Sequence, residues 1–361
     1  MSALTQKIRF VRSHDGTRLA YASSGIGVKG PTVIKAATWL SHLEYDWESP
    51  VWRHVLTAFS ARWKLLRYDE RGCGLSDWDV PDLSFQSWVQ DLEAVADAAG
   101  IERFALLGVS QGASIAIAYA VRHPERVTHL VLQGGYARGR LTRSDTRQAA
   151  EEAEMMCRLA EMGWGREDPS FRQFFTTQFI PGGTPEQHAW FNELERVSTS
   201  PSNAAAFMRE FNRIDVQSLL PQVRCPTLVL HSTHDVRVPF EEGRLLATHI
   251  PGATLVPIDS RNHLLMEGEP GWARALAEIE AFLPRAGNAL AEGPIAHLTP
   301  RMRELLELLA QGRDNAQMAA TLGLSEKTVR NQVSMLFDRL GVENRSMAIV
   351  TARQHGFGDA A

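Results

Sequence analysis

The sequence is short of the features that mark secreted, membrane-bound or metal-built proteins. It has three cysteines in 361 residues: Cys73, Cys157 and Cys225. They are odd in number and far apart, without CxxC or Cys/His spacing, which argues against a disulfide framework or a zinc site and predicts reduced, mostly buried thiols. No stretch reaches the ~18 apolar residues of a membrane span, and the opening MSALTQKIRFVRSHDG carries no apolar signal-peptide core. The expected location is the cytoplasm, with no membrane partner. Positive charge is not in excess either. A formal net charge of -4 is incompatible with a whole protein coating nucleic acid, so any DNA contact must be local. Cofactor and metal motifs, internal repeats and low-complexity segments are missing, and no cofactor is expected.

What is present is apolar material: 44% hydrophobic content supplies a large core, and the length suggests two domains. KIRFVRSHDGTRLAYASSG reads as a hairpin turned at Asp15-Gly16, and PTVIKAATWL and RWKLLRYDE read as buried strands. WVQDLEAVADAAG reads as a helix stopped by Gly100. FALLGV and THLVLQGG are short apolar runs around the small-residue helix ASIAIAYAVRHPERV. This alternation implies an α/β fold with a mostly parallel sheet covered on both faces. From about residue 136 to 221 the alternation stops, and a helical insert rich in Phe, Trp and Met reads as a cap. The sheet resumes at CPTLVLHSTHD and ATLVPIDSRNH, and WARALAEIEAFL closes a first domain, residues 1–285. PRAGNALAEGPIAH marks a linker, 286–297, before a second domain, 298–361.

The chemistry-bearing pattern in the first domain is Gly108-Val109-Ser110-Gln111-Gly112 between a strand and a helix. A serine on so tight a turn needs small flanking residues, and the helix that follows aims N–H groups and partial positive charge at the site. A serine hydroxyl needs a base, and the base an orienting carboxylate. His263 in SRNHLLMEGEP and Asp235 in HDVRVP each follow a later strand, with Asp259 the rival carboxylate and His231 and His234 bystanders. These features, with RYDERGCGLSD, resemble the α/β-hydrolase superfamily over nearly all of the first domain. SHLEYDWE is similar to a branch fused to regulatory modules. The resemblance implies a catalytic Ser110, Asp235 and His263, with oxyanion donors at the backbone of Gln111 and Trp39. The usual His-Gly turn beside the second donor is replaced here by Ala37-Thr38.

The second domain reads as four helices. Thr299 caps the first, with Pro300 at N1 and Gly312 as its stop. Asn315 opens the second, Ala316 to Leu322, and Gly323 makes a tight turn. Ser325 caps the third, Glu326 to Leu340, and Arg345 to His355 forms the fourth. From His297 onward eight basic residues face seven acidic ones, so charge alone would not nominate DNA. The motif does: Leu298-Thr299-Pro300, Glu304, Gly312, Asn315, Ala319, Leu322, Ser325, Thr328-Val329, Leu340 and Asn344-Arg345 resemble the LuxR-type helix-turn-helix. The third helix is then the recognition helix, presenting Lys327, Thr328, Arg330, Asn331 and Ser334 to double-stranded DNA. The resemblance implies a homodimer, with the outer face around Met347 to Ala352 available for contacts and RNA polymerase as a further partner.

The combined expectation is a DNA-binding transcription regulator whose hydrolase-like domain senses, and in some versions hydrolyses, a small apolar acyl, ester or lactone-type ligand. The alternative is a serine hydrolase that the DNA-binding module only localises.

Overall fold

The computed structural model describes residues 5–25, 27–28, 31–283, 300–340, 342, 344–354 and 357–358. The chain divides into two compact units, Met1–Ala286 and Gly287–Ala361. The expected linker, 286–297, lies outside the described residues, as do the Thr299 cap and His355.

The first unit is built on eight strands: β1 (Lys7–Arg12), β2 (Arg18–Ser24), β3 (Thr32–Lys35), β4 (Lys64–Tyr68), β5 (Phe104–Val109), β6 (Val127–Gln133), β7 (Thr227–Ser232) and β8 (Thr254–Ile258). They form one sheet in the order β1-β2-β4-β3-β5-β6-β7-β8. β2 is antiparallel to β1 and β4, and the pairings from β4 through β8 are parallel. The hairpin turns where expected, with Gly16 at φ +90°, a conformation that costs glycine little. All six residues of β5 are buried, as a strand covered on both faces requires.

Between the strands lie α1 (Leu43–Trp47), α2 (Arg53–Arg62), α3 (Phe85–Ala98) and α4 (Gln111–Arg122). The insert between β6 and β7 holds α5 (Arg140–Arg143), α6 (Arg147–Gly163), α7 (Ser170–Phe179), α8 (Pro185–Ser198) and α9 (Pro201–Phe211), then a 3-10 turn, Gln217–Gln222. The entering and leaving chains of this cap meet in a bridge between Arg138 and Asp215. Thr146, Thr184 and Ser200 cap α6, α8 and α9 with their side chains, and Pro185 and Pro201 occupy first-turn positions where a missing N–H costs nothing. α10 (Phe240–His249) and α11 (Pro270–Phe282) complete the unit.

Sequence reasoning passed over α1, α2 and α10. None of them is preceded by a Ser, Thr, Asp or Asn cap: their N-cap residues are His42, Trp52 and Pro239. The PTVIKAATWL run is also shorter as a strand than its apolar content suggests. β3 ends at Lys35, and the chain turns through Leu40 at φ 62°.

The segment RYDERGCGLSD, which runs out of the interior strand β4, ties its neighbouring loops together. Asp69 accepts the N–H groups of Leu43 at 3.1 Å and Leu75 at 2.9 Å. A Cβ on Gly74 would lie 2.3 Å from the Asp69 carboxylate, so only glycine fits. Arg71 forms a fork on Asp91, two bonds of 2.7 Å, with both side chains fully buried, and also reaches Asp15 at 2.7 Å. All three cysteines are free and buried.

The second unit contains α12 (Pro300–Ala310), α13 (Asn315–Leu322), α14 (Glu326–Leu340) and α15 (Arg345–Gln354). Its core is purely apolar: Leu305, Leu306, Leu309, Met318, Val329, Val333, Leu336, Leu340, Ala348 and Ala352 are among its buried residues. Asp314, not Asn315, caps α13, in a reciprocal box with Gln317. Asn315 instead accepts from Arg345 at 3.2 Å and ties α13 to α15. Gly323 takes φ 64° at the turn. No helix among the described residues is long and apolar enough to cross a membrane.

Candidate active site and nucleic-acid interface

β5 delivers the chain to Ser110 and α4 carries it away. Ser110 adopts φ 53°, ψ -124°, a strained conformation for a residue with a side chain. Its N–H donates to the Gln133 carbonyl at 2.9 Å. The flanking glycines are required by close approach. A Cβ on Gly108 would lie 2.5 Å from the Ala113 backbone, and one on Gly112 would lie 2.9 Å from the Ala37 carbonyl.

Asp235 follows β7 and His263 follows β8. His263 Nδ1 lies 2.6 Å from Asp235 Oδ2, and neither side chain is exposed. A carboxylate only accepts, so this contact puts the proton on Nδ1 and leaves Nε2 as the basic nitrogen. Nε2 is buried and has no hydrogen-bond partner among the described residues. The other Asp235 oxygen accepts the N–H groups of Arg237 at 2.8 Å and Val238 at 3.0 Å. Burial works to raise the Asp235 carboxyl, yet the charge and hydrogen bond of His263 and the Val238 N–H hold it below its ordinary value. The last carbonyl of α7, Phe179, receives the N–H groups of His263 at 2.9 Å and Leu264 at 3.2 Å, so the cap grips the histidine loop. Asp259 and His234 are exposed. His231 is buried, faces the Val238 carbonyl at 3.0 Å, and has its pKa lowered by desolvation.

The oxyanion region departs from expectation. The Trp39 N–H is present in the first unit's core but already donates to Gln111 Oε1, at 3.3 Å. Gln111 Nε2 in turn donates to Glu70, at 3.0 and 3.3 Å to its two oxygens. Gln111 and Glu70 are each about 1% exposed. Burial, helped by the nearby Asp91, pushes the Glu70 carboxyl well above the usual carboxylate range. The Gln111 side chain therefore occupies the Trp39 N–H, one of the two expected oxyanion donors, the Gln111 backbone N–H being the other.

Two cavities meet at Ser110 and Trp39. One has a volume of about 30 Å³ and is lined by Trp52, Phe179, Phe191, Leu264 and His263. The other, also about 30 Å³, is lined by Tyr136, Asn212, Arg140, Arg143 and Arg237. Of the aromatic residues in the cap, Tyr136, Phe179, Phe191 and Phe211 reach these cavities, whereas Trp164, Phe175 and Phe207 are buried in the core. The arginine limb escaped sequence reasoning. Its signal was available: ARGRLTR places Arg138, Arg140 and Arg143 before any acid, and Arg237 stands two residues after Asp235.

On α14, Lys327, Thr328, Arg330, Asn331 and Ser334 are all exposed. Val329, Val333, Leu336 and Leu340 turn into the core, so the helix presents one polar face. Ser325 accepts the Thr328 N–H at 3.2 Å, and the two hydroxyls lie 2.8 Å apart. Lys327 and Arg330 have no carboxylate partner among the described residues, which leaves both cations free for phosphate or base edges. On α15 the exposed apolar residues are Met347 and Val350; Ala348 and Ala352 face inward, so the outer face is narrower than expected.

Residues 46–270 match the family model described as alpha/beta hydrolase fold, and residues 296–352 match that of bacterial regulatory proteins, luxR family. Among curated proteins, strigolactone esterase D14 from Arabidopsis thaliana is 28% identical over 246 residues, 66% of this chain and 88% of that protein. Pimeloyl-[acyl-carrier protein] methyl ester esterase from Nitrosomonas europaea is 26% identical over 245 residues, 63% of this chain and 86% of the relative. Among solved structures, the enol-lactonase from Burkholderia xenovorans superposes with a TM-score of 0.62 at 22% identity, over 76% of this chain and 99% of its own, a likeness of fold.

Proposed function

The chain belongs to the α/β-hydrolase fold family and carries a LuxR-family DNA-binding domain, and from that premise we propose that it is a transcription regulator whose first unit binds and slowly hydrolyses a small ester, lactone or related acyl compound. The observation that carries this reading is the buried Asp235–His263 pair, with Nε2 left bare at the edge of the cavity that Ser110 also borders.

In this reading Ser110 Oγ attacks the ligand carbonyl carbon as its proton passes to His263 Nε2. Asp235 holds the imidazole in that tautomer and stabilises the imidazolium. The imidazolium returns the proton to the leaving oxygen as the C–O bond breaks. Water then attacks the acyl-serine, giving its proton to Nε2, and Ser110 recovers a proton as the acid leaves. The Gln111 backbone N–H, at the start of α4, supports the oxyanion. In the second unit, α14 carries Lys327, Arg330 and Asn331 to an operator, and the LuxR-family likeness implies a homodimer on paired half-sites.

Intact-mass labelling with a fluorophosphonate tests the chemistry. A single adduct is expected on the full chain and none on Ser110→Ala; an unlabelled, folded wild type would remove the catalytic half of the reading. Selection of genomic fragments by the full chain tests the regulatory half, and recovery of no preferred sequence would remove it. The rival, a hydrolase that DNA contact merely localises, draws support from the strained Ser110. It predicts that Lys327→Ala with Arg330→Ala abolishes DNA binding without altering any promoter's response to the ligand.

A further inference from the structure

The charges around the polar limb of the Ser110 cavity do not cancel. Arg138 is neutralised by Glu242 at 2.7 Å, and Arg140 by Glu152 at 2.9 Å. The Asp235 carboxylate is committed to His263 and two backbone N–H groups. Arg143 and Arg237 remain. Neither has a carboxylate within ion-pair distance among the described residues. Arg143 lies over the Tyr136 ring at 5.9 Å. Arg237 is sandwiched against Phe179 and Phe211, at 5.1 and 5.5 Å, and donates to the side-chain amide oxygen of Gln178, Oε1, at 3.1 Å.

Both arginines are only partly exposed, and both line the limb with Tyr136 and Asn212. Aromatic faces hold a guanidinium in place without satisfying its fork of N–H donors. Two partly desolvated cations with donors to spare, beside a proposed nucleophile, are costly unless a ligand completes them. The planar partner that fits such a fork is a carboxylate.

We infer that this limb is an anion subsite, and that the molecule the first unit recognises is amphiphilic: an acyl compound with its reactive carbonyl at Ser110, its apolar part among Trp52, Phe179, Phe191 and Leu264, and a carboxylate between Arg143 and Arg237. The inference rests on the reading of Ser110 as the ligand-facing centre and narrows its substrate class. The cap supplies Arg143 and the β7 loop supplies Arg237, so the subsite spans the cap and the sheet domain within the first unit. Burial and the neighbouring Arg140 and Arg143 pull Arg237 down to about 10, which leaves it cationic at neutral pH.

The test compares monomethyl esters of dicarboxylic acids, from succinate to suberate, with methyl alkanoates of matched length, using the full-length protein and NMR to follow hydrolysis. The best charged ester is expected to exceed its neutral match in kcat/KM by about tenfold or more, and Arg143→Gln with Arg237→Gln should cut that preference by a similar factor. Arg147→Gln, at an exposed position on α6, should leave the preference unchanged. Equal rates for charged and neutral esters, or a preference that survives in the double variant, would overturn the inference. Arg143→Gln alone keeps the test open should the Arg237 change prevent folding. If the wild type takes no fluorophosphonate, the catalytic reading fails by itself; calorimetry of the same monoesters with Ser110→Ala then decides the subsite, through binding that weakens about tenfold on Arg143→Gln or is indifferent to it.

Discussion

The two units of this chain treat their candidate functional residues in opposite ways, burying them in one and exposing them in the other. In the first, Gln111, Asp235 and His263 are buried, and even Glu70 and the Arg71–Asp91 pair lie inside. In the second, the described core holds apolar side chains only, and Lys327, Thr328, Arg330, Asn331 and Ser334 stand in solvent. Bond-making chemistry needs groups whose geometry and protonation are fixed in a poorly hydrated place, where each electrostatic contact counts for more. A duplex is too large to be enclosed, so a reading helix must hold its cations outside and rely on counterion release. The same chain thus shows two ways to treat a polar residue: surround it, or mount it on an apolar scaffold.

The comparison breaks most sharply at Ser110. Ser110→Ala should lower ester turnover by about 10⁶-fold and Asp235→Asn by about 10⁴-fold, with DNA affinity unchanged in both; steady-state kinetics beside a gel-shift titration reads this, and residual turnover near wild type would place the chemistry elsewhere. Next in size is the buried ion pair. Asp91→Ala removes the fully buried partner of Arg71, leaving Asp15 as its remaining carboxylate, and should cost about 3 kcal/mol, seen in chemical denaturation as early loss of the first unit. The exposed helix gives a smaller effect. Arg330→Ala should weaken operator binding about tenfold and flatten its salt dependence, with ester turnover untouched; an unaltered salt slope would remove Arg330 from the contact surface.

The smallest effect is a slope with pH. Burial raises the folded-state pKa of Glu70 above its unfolded value. Its contribution to stability is therefore complete at acid pH and lost as pH climbs through that raised value. Glu70→Gln should flatten the decline above the ordinary carboxylate range; identical pH profiles in urea titrations would show that Glu70 ionises freely.

What was legible in the sequence follows from how local each signal is. The hairpin at Asp15-Gly16, the glycine-flanked Ser110 turn and the apolar stripe of α14 are each written in neighbouring residues. The α13 cap was misread by one position because Asp314 and Asn315 can both cap, and only the reciprocal bond from Gln317 decides between them. For the arginine limb the basic run ARGRLTR was legible, but its meeting with Arg237 was not. Arg143 and Arg237 meet across a cap and a strand end, and no spacing rule links them. The engagement of the Trp39 N–H depends on a side-chain rotamer of Gln111, which no sequence pattern encodes.

That rotamer has a consequence for time. A carbonyl arriving at Ser110 does not find the Trp39 N–H vacant; it must trade places with the Gln111 amide, so one hydrogen bond is exchanged for another. Under the proposed chemistry an oxyanion would gain there only the difference between a charged and a neutral acceptor, so acylation and release would both be slower than with a vacant donor, and an acyl group on Ser110 would outlast the encounter that put it there. In a chain that also reads DNA, such a lingering adduct would act as a clock, set by a single glutamine and reset by water.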